Sequence, residues 1–214
     1  MALDFQQGVH KIKTIKMKKV FPFTLAFLLI SVLAFSQDIV IKPTAGINFT
    51  NFSKDPSTGK YKSQVGYQIG GSVAFGHKLY IEPGVFYAQK STDYVYSLSG
   101  INSTTNFRLS GVRIPVAVGY SIIGGDSKTD PIGVRIYGGG SAFILTSVNQ
   151  GSKSDYNSTD WGVFAGAGLD IGIVFLDAKY EWSLTNIQKD ITQIDIGQTR
   201  TIYINVGVRI PLGE

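Results

Sequence analysis

From Ile39 onward the chain alternates apolar and polar residues at period two, and nearly all of its ionisable strand residues keep to one of the two faces. That period is the mark of a β-strand with two unlike sides. The last run is the clearest: Ile202, Ile204, Val206, Val208, Ile210 and Leu212 share one side, and Tyr203, Asn205, Gly207 and Arg209 the other. No segment after Gln37 carries a helical period or is apolar enough for a helical span. Eight strands are expected: Ile39–Phe52, Ser63–Gly76, Leu79–Lys90, Phe107–Ile122, Ile132–Val148, Asp160–Gly172, Ile173–Leu184 and Thr201–Leu212. Long polar connectors near Lys54–Lys62, Ser91–Asn106, Asn149–Thr159 and Asn186–Arg200 alternate with the short Gly76-His77-Lys78 and Gly172-Ile173. Gly124–Pro131 is of medium length. Long and short in turn describe antiparallel hairpins with the long loops gathered at one end.

Alternation alone does not say which side faces in. The charged side holds Lys42, Glu82, Lys90, Arg113, Arg135, Asp170, Asp177, Lys179, Glu181 and Arg209, with Arg108 the exception at a strand end. The same side carries most strand glycines, among them Gly46, Gly70, Gly84, Gly119, Gly139, Gly166, Gly168 and Gly207, against Gly71, Gly138 and Gly140 on the apolar side. Glycine gives a solvent-facing strand nothing, since it weakens the strand and packs against nothing. A narrow eight-stranded barrel, in contrast, needs small residues to fit its interior. The charged side is therefore the inside. On the apolar side Phe49, Tyr67, Tyr87, Trp161 and Trp182 lie toward the long loops, and Phe75 and Tyr120 toward the short turns. Two aromatic belts around an aliphatic band match the two membrane–water interfaces. The expected fold is all-β, an eight-stranded antiparallel up-and-down transmembrane β-barrel, since only a closed barrel satisfies every strand's backbone in hydrocarbon.

The segment from Met17 reads MKKVFPFTLAFLLISVLAFSQ. Lys18 and Lys19 precede an apolar stretch, and Ala34 and Ser36 stand at the −3 and −1 positions of a cleavage site before Gln37. The expected organisation is residues 1–16 upstream with no fold role, 17–36 a signal peptide, and 37–214 the barrel. Most of the formal charge of +5 lies ahead of Gln37: the first 36 residues hold five Lys and one Asp, leaving 15 basic and 14 acidic groups beyond them. Such balance offers no footprint for nucleic acid.

Chemistry is sparsely provided. With no Cys there are no disulfides, thiol nucleophiles or thiolate metal sites. His10 lies in the leader, and His77 sits in a short turn with no neighbouring acid or Cys partner. Barrel enzymes place a base, usually His, beside a nucleophile or water at the outer rim; no His lies there, so no catalytic residue is assigned. Gly138-Gly139-Gly140-Ser141 and Gly166-Ala167-Gly168 do not open helices, so they are not phosphate loops. Asp126, Asp130, Asp155 and Asp160 read as loop carboxylates without a calcium-loop spacing. Neither a metal nor a cofactor is expected. Lys42, Glu82, Arg135, Asp170, Asp177 and Arg209 all fall in the half near the short turns, where charges of both signs are expected to cross-pair as a structural polar plug.

Five stretches resemble a known family: KPTAGINFTNF, YIEPGVFYAQK, RIPVAVGYS, GVFAGAGLDI and KYEWSLTNI. In this order and spacing they look like the PorT-like outer-membrane β-barrels, small OmpA-type eight-stranded barrels, over nearly all of Gln37–Glu214. The resemblance implies outer-membrane residence and no one shared activity. The chain departs from the usual aromatic end of such barrels, finishing Ile210-Pro211-Leu212-Gly213-Glu214. The expected role is structural or binding, through long outer loops meeting a protein or surface ligand. Two alternatives stay open: a component of envelope assembly or secretion, and a narrow pore.

Overall fold

The computed structural model describes residues 39–52, 59–98, 101–124, 131–149, 156–185 and 198–212. Nine strands appear: β1 (Ile39–Phe52), β2 (Gly59–Gly76), β3 (Leu79–Leu98), β4 (Ile101–Ile123), β5 (Ile132–Val148), β6 (Thr159–Ile171), β7 (Val174–Ser183), β8 (Thr199–Val208) and β9 (Ile210–Leu212). Each strand pairs antiparallel with the next from β1 to β8, and β8 pairs back onto β1, so the sheet closes on itself. β9 continues β8 past Arg209 and pairs with Ile39–Ile41. Eight strands thus make the circuit, the last interrupted at one residue.

The short turns need backbone freedom at two places. Gly76 adopts φ 120° before His77, and Gly172 φ 58° at the β6–β7 turn, a region that side chains with a Cβ rarely enter. Both turns lie at the end of the barrel where β1 begins and β9 ends.

Side-chain burial follows the two-residue period. In β8, Thr199, Thr201, Tyr203 and Asn205 are buried while Ile202, Ile204 and Val206 are exposed. In β7, Phe175, Asp177, Glu181 and Ser183 are buried while Val174, Leu176 and Trp182 are exposed. This inverts a soluble protein: Arg113 is 0 % exposed and Val206 51 %. Among the described residues no helix is long and apolar enough to cross a membrane.

One expected loop is not a loop. Ser91–Leu98 and Ile101–Asn106 continue β3 and β4 as a paired hairpin, in register from Ser91↔Arg108 to Leu98↔Ile101. Gly59–Gln64 of β2 pairs alongside, against Ser91–Tyr96, so part of the Lys54–Lys62 stretch is strand as well. The segment is rich in Thr, Tyr and Val, which favour extended backbone, but its polar residues have no apolar side to mark a period. A span needs only about 9–11 residues, so the 23 residues of β4 carry this three-stranded extension past the barrel wall. The other expected loops fall largely on 53–58, 150–155 and 186–197, outside the described residues.

Candidate functional site

The interior is where the chain concentrates its charge, and glycine decides what fits there. Followed from strand to strand, the register runs Tyr80, Gly119, Tyr137, Gly166, Lys179, Tyr203, Asn48, Gly66, climbing the barrel as it goes round. From Tyr80 to Lys179 large side chains alternate with glycine, so Tyr80, Tyr137 and Lys179 each reach over a neighbour that has none. A Cβ on Gly166 would stand 2.8 Å from both the Lys179 Cβ and the Tyr137 ring. The same device builds an ion pair at the next level: Arg135, Gly168 and Asp177 are register neighbours, and Arg135 Nη2 crosses the bare Gly168 backbone to donate to Asp177 Oδ1 at 2.7 Å. A Cβ on Gly168 would lie 2.8 Å from that nitrogen.

Two clusters result. Toward the short turns, Lys42 Nζ donates to Glu82 Oε2 at 3.0 Å, Ser72 Oγ donates to the same carboxylate at 2.7 Å, and Arg135 Nε donates to Asp170 Oδ1 at 3.1 Å. Arg209 Nη1 stands 3.6 Å from Asp170 Oδ2, and Arg135 Nη1 3.9 Å from Glu82 Oε2. These six residues are the ones the sequence places in this half. Toward the long connectors, Glu181 is the hub. It accepts from Arg113 Nε at 2.9 Å and from Arg113 Nη2, from Ser141 Oγ at 2.8 Å and from Tyr203 Oη at 3.3 Å. Lys90 Nζ lies 3.8 Å from Glu181 and 3.6 Å from Asp160.

Each cluster is formally neutral, three cations with three carboxylates below and two with two above. Buried ions persist only when paired and hydrogen-bonded, and this balance provides that. Lys179 is left over. Its ammonium faces the rings of Phe86 and Phe164 at 5.7 Å and of Tyr203 at 6.0 Å, and among the described residues it makes no ion pair. Ring faces attract the other cations too: Lys42 lies 4.4 Å from the Phe175 centroid and Arg113 4.7 Å from that of Tyr203. Between the clusters a cavity of about 20 Å³, lined by Glu82, Tyr137, Asp177 and Lys179 among others, has room for about one water.

The expected belt residues all project outward. Trp161 (59 %), Tyr120, Tyr67, Tyr87 and Trp182 are exposed, and Phe49 and Phe75 are half-buried. Tyr67 and Tyr87 come within 6.4 Å centroid to centroid, and Tyr180 and Trp182 within 4.6 Å. Between the two levels the wall is mostly Val, Ile, Leu and Ala, broken by Pro43, Gly71, Pro83 and Gly140.

The model of one family, described as the outer membrane protein beta-barrel domain, matches residues 35–189. The chain belongs to that family. The matched span ends before β8, the strand that closes the circuit. As a member of an outer-membrane barrel family, the chain resides in the outer membrane, and its apolar wall faces lipid. No protein among curated sequences matches it. Among solved structures it is similar to the outer membrane protein OprG of Pseudomonas aeruginosa, at 10 % identity and TM-score 0.49, over 82 % of this chain and 95 % of that one. It is also similar to Neisserial surface protein A, at 17 % identity and TM-score 0.46, over 80 % and 96 %. The third is the N-terminal β-barrel domain of Pseudomonas aeruginosa OprF, at 12 % identity and TM-score 0.41, over 82 % and 98 %.

Some interior residues of this outer-membrane barrel escape the sequence reading. Ala88, Leu109, Phe143, Leu145 and Tyr156 form an apolar cluster at the outer mouth, with Leu145 N donating to Ser158 O at 2.9 Å. Leu109 and Leu145 share the phase of Arg113 and Phe143, which was the available signal. Asn48, Thr50, Gln68, Thr201 and Asn205 make a buried polar wall, in which Gln68 Nε2 donates to Asn205 Oδ1 at 2.5 Å and Thr50 and Thr201 hydroxyls meet at 3.0 Å. Asp160 is not a loop carboxylate: it lies in β6 and accepts from Ser183 and, at 3.4 Å, from Thr199. Asp126, Asp130 and Asp155 lie outside the described residues. Gly138–Ser141 and Gly166–Gly168 are strand interior, and His77 is exposed in its turn.

Proposed function

We propose that this is a non-enzymatic barrel whose lumen is closed by its own side chains and whose outward end does the binding or structural work. The observation that carries this reading is the interior itself: two neutral ion-pair clusters stacked along the lumen, with Phe86, Phe164, Phe175 and Tyr203 packed among the cations. Eight strands leave room for side chains and little else. Ser141 and Ser183 donate to Glu181 and Asp160 directly, with no histidine between to act as base. With the wall in lipid and the lumen filled, the β2–β3–β4 extension and the connectors at that end are the surface left for a protein or surface ligand, and such exposed segments on a rigid scaffold are where binding resides. Nucleic acid is not among the partners, since the charges beyond the leader nearly cancel.

Planar-bilayer recording of the purified protein tests the closed lumen. No stable conductance is expected; steady ohmic current abolished by blocking the lumen would favour the narrow-pore reading instead. Shortening the outer connectors one at a time, in barrels that still fold, should abolish the cellular phenotype, and silence in every deletion would remove the binding role. The finer placement within the PorT-like group rests on the five motifs from KPTAGINFTNF to KYEWSLTNI and favours a part in envelope assembly or secretion, which neighbouring genes would distinguish. The leader is removed before Gln37 in this reading, leaving 37–214 as the barrel domain.

A further inference from the structure

The outer wall carries a shallow, open irregularity on β1, β2 and β3. Pro43, Gly71 and Val85 are register neighbours on β1, β2 and β3, and all three point toward lipid. Gly71 lacks a side chain in the middle of that row. Just below it, β2 and β3 lose their ladder pairing between Ser72↔Gly84 and Phe75↔Ile81, and β3 and β4 lose theirs between Pro83↔Val116 and Phe86↔Arg113. Pro83 has no N–H to donate there, which suits an interrupted ladder. The result is an open groove of about 480 Å³, lined by Pro43, Gly71, Val73, Pro83, Val85 and Ile114 among others. Small-molecule sites span about 300–1,000 Å³.

Its depth in the membrane is fixed by the belts. Val73 is two residues from Phe75 of the inner belt, and Val85 two residues from Tyr87, which packs on Tyr67 in the outer one. The groove thus continues the lipid-facing wall within the hydrocarbon. Its width selects the occupant. Pro43 and Val85 flank Gly71 at one strand spacing each, about 4.8 Å, so the trough is narrower than a transmembrane helix, about 10–12 Å across with its side chains. An extended peptide would leave its own N–H and C=O groups unpaired in hydrocarbon. A methylene chain has neither problem.

We propose that the Gly71 groove is a binding site for one acyl chain of a membrane lipid, held more durably than the lipid around the rest of the wall. A Cβ on Gly71 would meet nothing nearer than Lys42 O at 3.4 Å and Pro43 Cα at 3.7 Å, so Gly71→Leu fills the trough without clashing in the lumen. Gly140, also outward and with its nearest neighbour 3.8 Å from a Cβ, supplies the matched control outside the groove.

The barrel reconstituted in phosphatidylethanolamine–phosphatidylglycerol vesicles, extracted in mild detergent and weighed by native mass spectrometry, is expected to retain one lipid. Gly71→Leu should lose it and Gly140→Leu keep it. No retained lipid in the wild type, or equal retention in both variants, overturns the site. If Gly71→Leu does not fold, Val85→Trp in a Trp161→Phe/Trp182→Phe background reads the same question with phosphatidylethanolamine brominated on its acyl chains. Quenching that outlasts exchange into unbrominated lipid is expected, and immediate recovery refutes the proposal. Because the chain has no cysteine, Val85→Cys adds a further test: disulfide-linked dimers in the membrane would mean the groove seats a second copy instead.

Discussion

Replacing Glu181 by Leu removes the acceptor on which the outer cluster converges. Arg113, with a fully buried side chain, loses its only ion-pair partner among the described residues, and Lys90 keeps Asp160 alone at 3.6 Å. Ser141 and Tyr203 lose their acceptor as well. Breaking a buried pair while leaving one ion behind costs about 3–5 kcal/mol, or about two to nearly four powers of ten in the folded-to-unfolded ratio. Removing the stranded ion too, in Arg113→Met/Glu181→Leu, replaces the pair by apolar side chains and should recover about 0.5–3 kcal/mol of that loss, the range found for directly coupled residues. The assay is reversible urea unfolding in lipid, followed by the gel-mobility shift between folded and unfolded barrel. A Glu181→Leu barrel within about 1 kcal/mol of wild type would mean that water reaches Arg113 and that the lumen is not packed.

Two further expectations rest on the same geometry, and a third on the sequence of the leader. Gly166→Leu forces atoms into the Lys179 and Tyr137 side chains and should destabilise the barrel by about 1–3 kcal/mol or more in the same titration, whereas Gly140→Leu on the outer wall should change little. Val206→Arg puts a charge in the lipid-facing band and should cost about 2–4 kcal/mol near mid-bilayer; a neutral result would mean that Val206 does not face hydrocarbon. N-terminal mass spectrometry of the membrane-bound protein should begin at Gln37, and a retained apolar leader would contradict export with cleavage.

The bounds of β1 and β5 were readable to the residue, because in each an apolar side and a polar side run unbroken between polar connectors. The face of every charged lumen residue was readable for the same reason, since a period of two sends Arg135 and Asp177 the same way however the strands slide. Which partner each meets was not. Arg135 reaches Asp177 only because the register sets Gly168 between them, and the relative stagger of three strands is not written in any one of them. Lys179 shows the limit from the other side: its phase placed it inside, but its seat among three rings depends on Phe86, Phe164 and Tyr203 arriving from β3, β6 and β8. The β3–β4 hairpin was missed because Ser91–Asn106 leaves the membrane, and with it the apolar side that makes a strand legible.

A cysteine scan of β8 addresses the inside-out assignment most directly, and the absence of native cysteine makes each position unique. Nitroxide labels placed singly from Thr201 to Val208, in the reconstituted barrel, report collision with dissolved oxygen, which concentrates in hydrocarbon. Collision should peak at Ile202, Ile204, Val206 and Val208 and fall at Thr201, Tyr203, Asn205 and Gly207. Peaks at the odd positions, or no period of two, would contradict a barrel with its charges inside and its aliphatic residues in the membrane.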